Sequence, residues 1–222
     1  MIVEHPPGRV IPRRKMEVLS IPGRNGDIIL PQDAYESIPQ IYDIHIPSAI
    51  LKNRPRLDRA MRSVSNWLCV PGYNRLEDSY EPDVFRMAYF VGDQSIENIL
   101  NKGGRAQIEF ICRPERWLKV GEFPIMFHVP GLIFNPTDKP SSPIITVYGS
   151  GGGTLTVGET TLSLGDCNGV VLDSENEDAY RGSENLNDTV VGDFPLLDAG
   201  STTVSWTGGV TGLQIIPRWW MI

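Results

Sequence analysis

Glycine and proline recur from end to end of this chain, 22 of the first and 18 of the second in 222 residues. Punctuation that dense cuts the sequence into short pieces bounded by turn residues, the pattern of a mainly β architecture. Long amphipathic stretches are scarce. The one helix the periodicity predicts spans Arg54 to Leu68, where Leu57, Met61, Val64 and Leu68 recur at spacings of four, three and four, with Trp67 placed to widen that face. Pro55 suits its first turn and Pro71-Gly72 closes it. A helix this short needs a sheet to dock on.

Strands fill the rest of the first half. Met16–Ile21 and Ile28–Leu30 flank Gly23-Arg24-Asn25-Gly26-Asp27, and Asn-Gly tolerates the positive φ that a hairpin loop demands. A third strand spans Ile38–Ile46, interrupted by Pro39. Val84–Val91 and Arg105–Cys112 follow. In the second of these Ala106, Ile108, Phe110 and Cys112 share one face, as in a half-buried strand. Ile96–Leu100 reads as a single helical turn between them, and the first residues as an extended arm.

Three prolines, at 136, 140 and 143, make a stiff polar connector and suggest a domain boundary. The expected division is residues 1–133 and 134–222. Beyond the connector come short Val-, Ile-, Leu- and Thr-rich strands at 144–147, 154–157, 160–164, 170–173 and 202–206, the texture of a small β-sandwich. Gly149-Ser-Gly-Gly-Gly153 reads as the turn between two of them. The apolar end, residues 213–222, either completes the sandwich or packs back on the first domain.

The formal net charge is −7 and the sequence pI about 5.0, so no general attraction to phosphate backbones is expected and no sequence-specific nucleic-acid partner follows. Apolar runs fall far short of a membrane span, and the first residues lack a signal peptide's basic and apolar regions, which leads to an expectation of a soluble chain made in a cytoplasm. Cys69, Cys112 and Cys167 are scattered, as reduced thiols are.

Motifs that would carry chemistry fall short. Gly149–Gly153 has no following Gly-Lys-Ser/Thr for a phosphate loop. Asp173 to Glu184 imitates a calcium loop, but Asp178 occupies the glycine position. Three histidines, His5, His45 and His128, form no paired zinc motif, and no G-x-S-x-G elbow marks a nucleophile. The residues therefore point to no catalytic group, no cofactor and no metal. One alternative class is a glycan-binding sandwich in an adsorption device, with Trp206 and Tyr180 as stacking contacts.

Six stretches, in order, resemble the distal tail protein (Dit) family of long, non-contractile phage tails. They are Val18–Asp27, like its "strand, then G-R-D/N-G"; Ala106–Pro114, like its "F-x-C-x-P"; Asn135–Gly151; Val171–Glu175, like "I-D-S-E"; Asn187 with Phe194-Pro195-Leu196 and Gly200; and Ile216–Trp219. Pro136-Thr137 departs from the family's residue and glycine after Asn135. The resemblance implies a split β-barrel-like first domain with one helix, six copies closing into a ring, and a galectin-like sandwich outside it. It further implies a virion tail-tip location after assembly in the host cytoplasm, with the tail tube protein, the tail-tip protein, the tape measure, and receptor-binding or side-fibre proteins as partners. A ring needs two different patches per subunit. The expected contacts are the arm (residues 1–15) and the hairpin tip Arg24, Asn25, Gly26 and Asp27.

Overall fold

The computed structural model describes residues 2–3, 6–47, 50, 52–92 and 105–222; the expected turn at Ile96–Leu100 lies outside them, as does His5. Among the described residues the chain is mainly β with one α-helix, as expected, and the strands form antiparallel sheets that close no barrel. It divides into two compact units, one comprising residues 1–116 with Ile222 and the other Trp117–Met221.

In the first unit the central sheet runs β1 (Ile2–Val3), β4 (Ile38–His45), β7 (Arg105–Cys112), β6 (Val84–Val91), with β5 (Asn74–Leu76) paired to β6. Alternation sets its core face. Ile38, Tyr42 and Ile44 lie opposite Cys112, Ile108 and Ala106, and all six are buried. The helix α1 (Arg54–Leu68) covers one end of that face with Leu57, Met61 and Leu68. Its start is fixed locally. The Asn53 side chain accepts from the Arg56 N–H at 3.1 Å, and a proline sits in the first turn. Trp67 widens the face only at its rim, half exposed, with its ring edge-on to Phe110 at 6.0 Å.

Near Ile38, away from α1, the arm lies against the sheet with Pro12 buried. Burial pushes the Cys112 thiol on this face up to about 11, which suits a small apolar residue and not a nucleophile.

Strands β2 (Arg14–Leu19) and β3 (Ile28–Tyr35) make a two-stranded sheet of their own. Val18 pairs with Ile29 and Met16 with Pro31, so Met16, Val18 and Ile29 share one face, each more than half exposed. The loop between the strands uses Gly23 and Gly26, both at positive φ (83° and 80°), the geometry that glycine adopts without a Cβ clash.

The second unit is built on two long strands, β11 (Ile144–Val157) and β17 (Gly200–Ile216), paired along their lengths. The first half of β11 also pairs with β13 (Val170–Asp173) and the second half with β12 (Thr160–Leu164). Beyond β13 lie β14 (Asp178–Arg181) and β15 (Glu184–Asn185), and β12 carries β16 (Val190–Val191). Ile145 and Val147 from the first half and Leu155 and Val157 from the second enter one core with Leu162, Leu172, Leu213 and Ile215.

The glycine run is therefore not a turn between strands. It is an irregularity inside β11, with register shifts between Tyr148 and Gly153. Here two backbones press together. A Cβ on Gly149 would stand 2.1 Å from the Gly209 carbonyl oxygen, and one on Gly209 would stand 1.9 Å from that of Ser150. Only glycine permits such an approach, and the paired strands bend there.

The units meet at Arg116 and Trp117, earlier than the proline connector. The reason is pairing: β9 (Ile125–Phe127) and β10 (Gly131–Asn135) both add to β17, so the stretch before the prolines already belongs to the second sheet. Residues 213–216 end β17, and Trp219 enters the sandwich core. A short strand β8 (Arg116–Leu118) lies beside β18 (Trp220–Met221), where the Leu118 N–H donates to the Trp219 carbonyl at 2.9 Å.

Candidate functional site

Function in this molecule is best sought on surfaces. Among the described residues no group of three or more His, Cys, Asp or Glu side chains gathers as a metal site, and no helix is long and apolar enough to cross a membrane.

The hairpin carries an exposed apolar surface. Its residues Met16, Val18, Leu19, Ile29 and Leu30 are all exposed, and on the arm Ile11 is 80% exposed. A lone two-stranded hairpin is marginally stable in water, and among the described residues β2 and β3 pair with no further strand. Local bonds hold its base: the Glu36 N–H donates to the Arg13 carbonyl at 2.8 Å, and the Arg14 guanidinium sits 5.4 Å from the centre of the Tyr35 ring. The tip residues Arg24, Asn25, Gly26 and Asp27 are exposed in the loop beyond the strands.

Behind the arm lies a knot of charge. The Glu81 carboxylate receives Arg9 at 2.5 Å, Arg116 at 3.0 Å, and Arg86. Burial alone would raise the pKa of Glu81, but the three guanidiniums hold it down at about 2. Arg86 is 6% exposed, and its buried Nε has no hydrogen-bond partner. Arg116 also donates to the Ile222 carbonyl oxygen at 2.6 Å. Beside the knot, Tyr42 donates its phenol proton to Asp78 at 2.7 Å. Burial, with Asp78 alongside, pushes that phenol far above its ordinary range.

This knot escaped the sequence reading. A signal was present: Arg86 stands in the apolar strand Val84–Val91, two residues before Ala88 on the same face. A charge on a buried face requires a partner, though the sequence does not say that the partner is Glu81.

The acidic loop is anchored through Asp173. Arg218 donates to Asp173 at 2.6 Å, and Asn176 donates to the same carboxylate at 2.9 Å. Burial opposes ionisation of Asp173, yet these donors keep its pKa below the usual carboxylate value. The two stretches Val171–Glu175 and Ile216–Trp219 are thus two ends of one clamp. Asn135, from another stretch, donates to the Lys139 and Leu197 carbonyls at 2.8 and 3.1 Å, bracing the connector across Pro136. Asn187 accepts from the Ala179 N–H at 2.6 Å.

Trp206 and Tyr180 are not brought together. Trp206 faces Leu155 across β11–β17, half-buried against the sandwich core. Tyr180 sits on β14, between Val171 and Asn185. They occupy opposite halves of the bent sheet.

No protein-family profile matches the sequence, and no curated protein does. Among solved structures the fold is similar to the crystal structure of the Dit protein (gp 19.1) of phage SPP1. The TM-score is 0.74 at 14% identity, covering 100% of this chain and 93% of that one. That protein is described as a paradigm of the hub adsorption apparatus in phages that infect Gram-positive hosts. The chain has a Dit-like fold over its whole length.

Proposed function

We propose that this protein is a structural hub of a phage tail tip, a ring of six copies joining the tail tube to the adsorption components below it. The likeness in fold, which extends over the whole chain, carries this reading. The uncovered hairpin supports it independently. Met16, Val18 and Ile29 form an apolar face on an element too small to stand alone, and burial against a neighbouring copy would supply what is missing. Closure into a ring takes two different patches on each subunit. The arm and the hairpin tip at Arg24–Asp27 are one patch in this reading.

In the same reading the tail tube protein sits above the ring. The tape measure passes through it, the tail-tip protein lies beneath, and the sandwich supports fibre or receptor-binding components from outside. The protein works by fitting neighbours and carries out no turnover. It resides in the virion tail tip after assembly in the host cytoplasm.

Light scattering after size exclusion tests the ring. Replacing Asn25 and Gly26 by isoleucine puts β-branched side chains into a loop whose Gly26 has a φ of 80°. Wild type is expected to elute as a hexamer and the double variant as a monomer. A variant that still forms hexamers would exclude the hairpin tip from the interface.

A further inference from the structure

In the first unit, a cavity of about 280 Å³ opens where the arm passes Ile38. Its cationic lining is Arg9, Arg86 and Arg116, and its apolar lining includes Ile11, Ile38 and Pro114. We propose that this cavity binds an organic carboxylate, a small anion with an apolar body.

Charge and geometry carry the assignment. Three guanidiniums share one carboxylate, Glu81, and each gives it a single hydrogen bond. An arginine is a fork of several donors with no acceptor, so a guanidinium that binds Glu81 can serve a second anion as well. Arg86 is the telling member, because its side chain is 8% exposed and its buried Nε lacks a partner. A buried cation short of acceptors is costly, and an anion placed against it removes that cost.

Neighbouring carboxylates do not fill the need. Asp78 is engaged by the Tyr42 hydroxyl and by the Tyr80 and Glu81 N–H groups. Glu115, between Pro114 and Arg116 in sequence, has a buried Oε2 that makes no hydrogen bond. The Ile222 carbonyl oxygen takes only one donor, from Arg116. The apolar walls choose among anions. A phosphate would lose hydration against Ile11, Ile38 and Pro114, whereas a short alkyl carboxylate presents its charge to the arginines and its chain to those walls.

The test uses the intact protein with butyrate as probe, against chloride and inorganic phosphate at equal ionic strength. Butyrate is expected to raise Tm saturably, by about 3 °C at excess ligand, with chloride giving no saturable shift and phosphate binding more weakly. Arg9→Gln, on the exposed arm, and Arg116→Gln should each weaken butyrate binding about tenfold. Saturation-transfer NMR on the wild-type protein reads the same binding if a variant fails to fold. Absence of saturable butyrate binding overturns the proposal. So does phosphate binding tighter than butyrate, or unchanged butyrate affinity in both folded variants.

Discussion

Two antiparallel strand pairs of this molecule, β11–β17 and β2–β3, meet opposite fates. The β11–β17 pair lies under a core in which Ile145, Val147, Leu155 and Leu213 have no exposed surface. In the β2–β3 pair every residue of the first strand is exposed. Both alternate apolar and polar residues, and both use glycine at positive φ or at close approach. The difference is what each has to lie against. The long pair bends over itself and gathers β12, β13 and β14 into one core, while among the described residues the short pair gains no further strand. Alternation specifies a strand; only a facing layer makes it stable.

Three variants sharpen that contrast. The largest effect is expected at the close approach in the second unit. Gly209→Val places a Cβ 1.9 Å from the Ser150 carbonyl oxygen, which neither backbone can relieve without breaking the ladder. A loss of more than about 4 kcal/mol is expected in denaturant unfolding of the sandwich. Near-native stability would mean that the bend is not what holds the long pair together.

An intermediate effect belongs to the charge knot of the first unit. Glu81→Gln leaves Arg86 buried without its counter-charge and should destabilise that unit by about 3 kcal/mol. The pH dependence has a definite sign. The Glu81 pKa is lowered from 4.5 to about 2 on folding, so its contribution is complete above pH 4.5 and is lost as pH falls through 2. Acid unfolding of the Glu81→Gln protein should lack this component, and a wild-type-like acid transition in the variant would assign the sensitivity elsewhere.

The smallest effect on the isolated subunit is expected on the uncovered hairpin. Val18→Thr with Ile29→Thr removes apolar surface that is already in water, so subunit stability should change by less than about 0.5 kcal/mol. Assembly measured by light scattering should nevertheless be lost. A large drop in subunit stability would show that the hairpin already buries this face within its own chain.

Local chemistry was legible in the sequence. The apolar spacing of Leu57, Met61, Val64 and Leu68 gave the helix at Arg54–Leu68, and the alternation from Ala106 to Cys112 gave a strand with its buried face. The mainly β class and the Dit-like fold followed from punctuation and from ordered short stretches. What failed was long-range. Gly149–Gly153 looks like a turn because glycine marks both turns and close approaches, and only the partner at Gly208–Gly212 distinguishes them. The compact units divide ahead of the proline connector, and nothing local in Ile125–Phe127 or Gly131–Asn135 announces pairing with β17, far along the chain. The Glu81 knot joins Arg9 to Arg116 across most of the first unit, and no spacing rule reaches that far.

The closeness of β11 and β17 also has a consequence in time. A ribosome emits β11 long before β17, and until residue 216 emerges the earlier strand has only β12 and β13 beside it. The β11–β17 pairing itself is not local, since closing a loop of this length precedes any reward from it. The second unit should therefore fold late and all at once, with the first already formed ahead of it during synthesis.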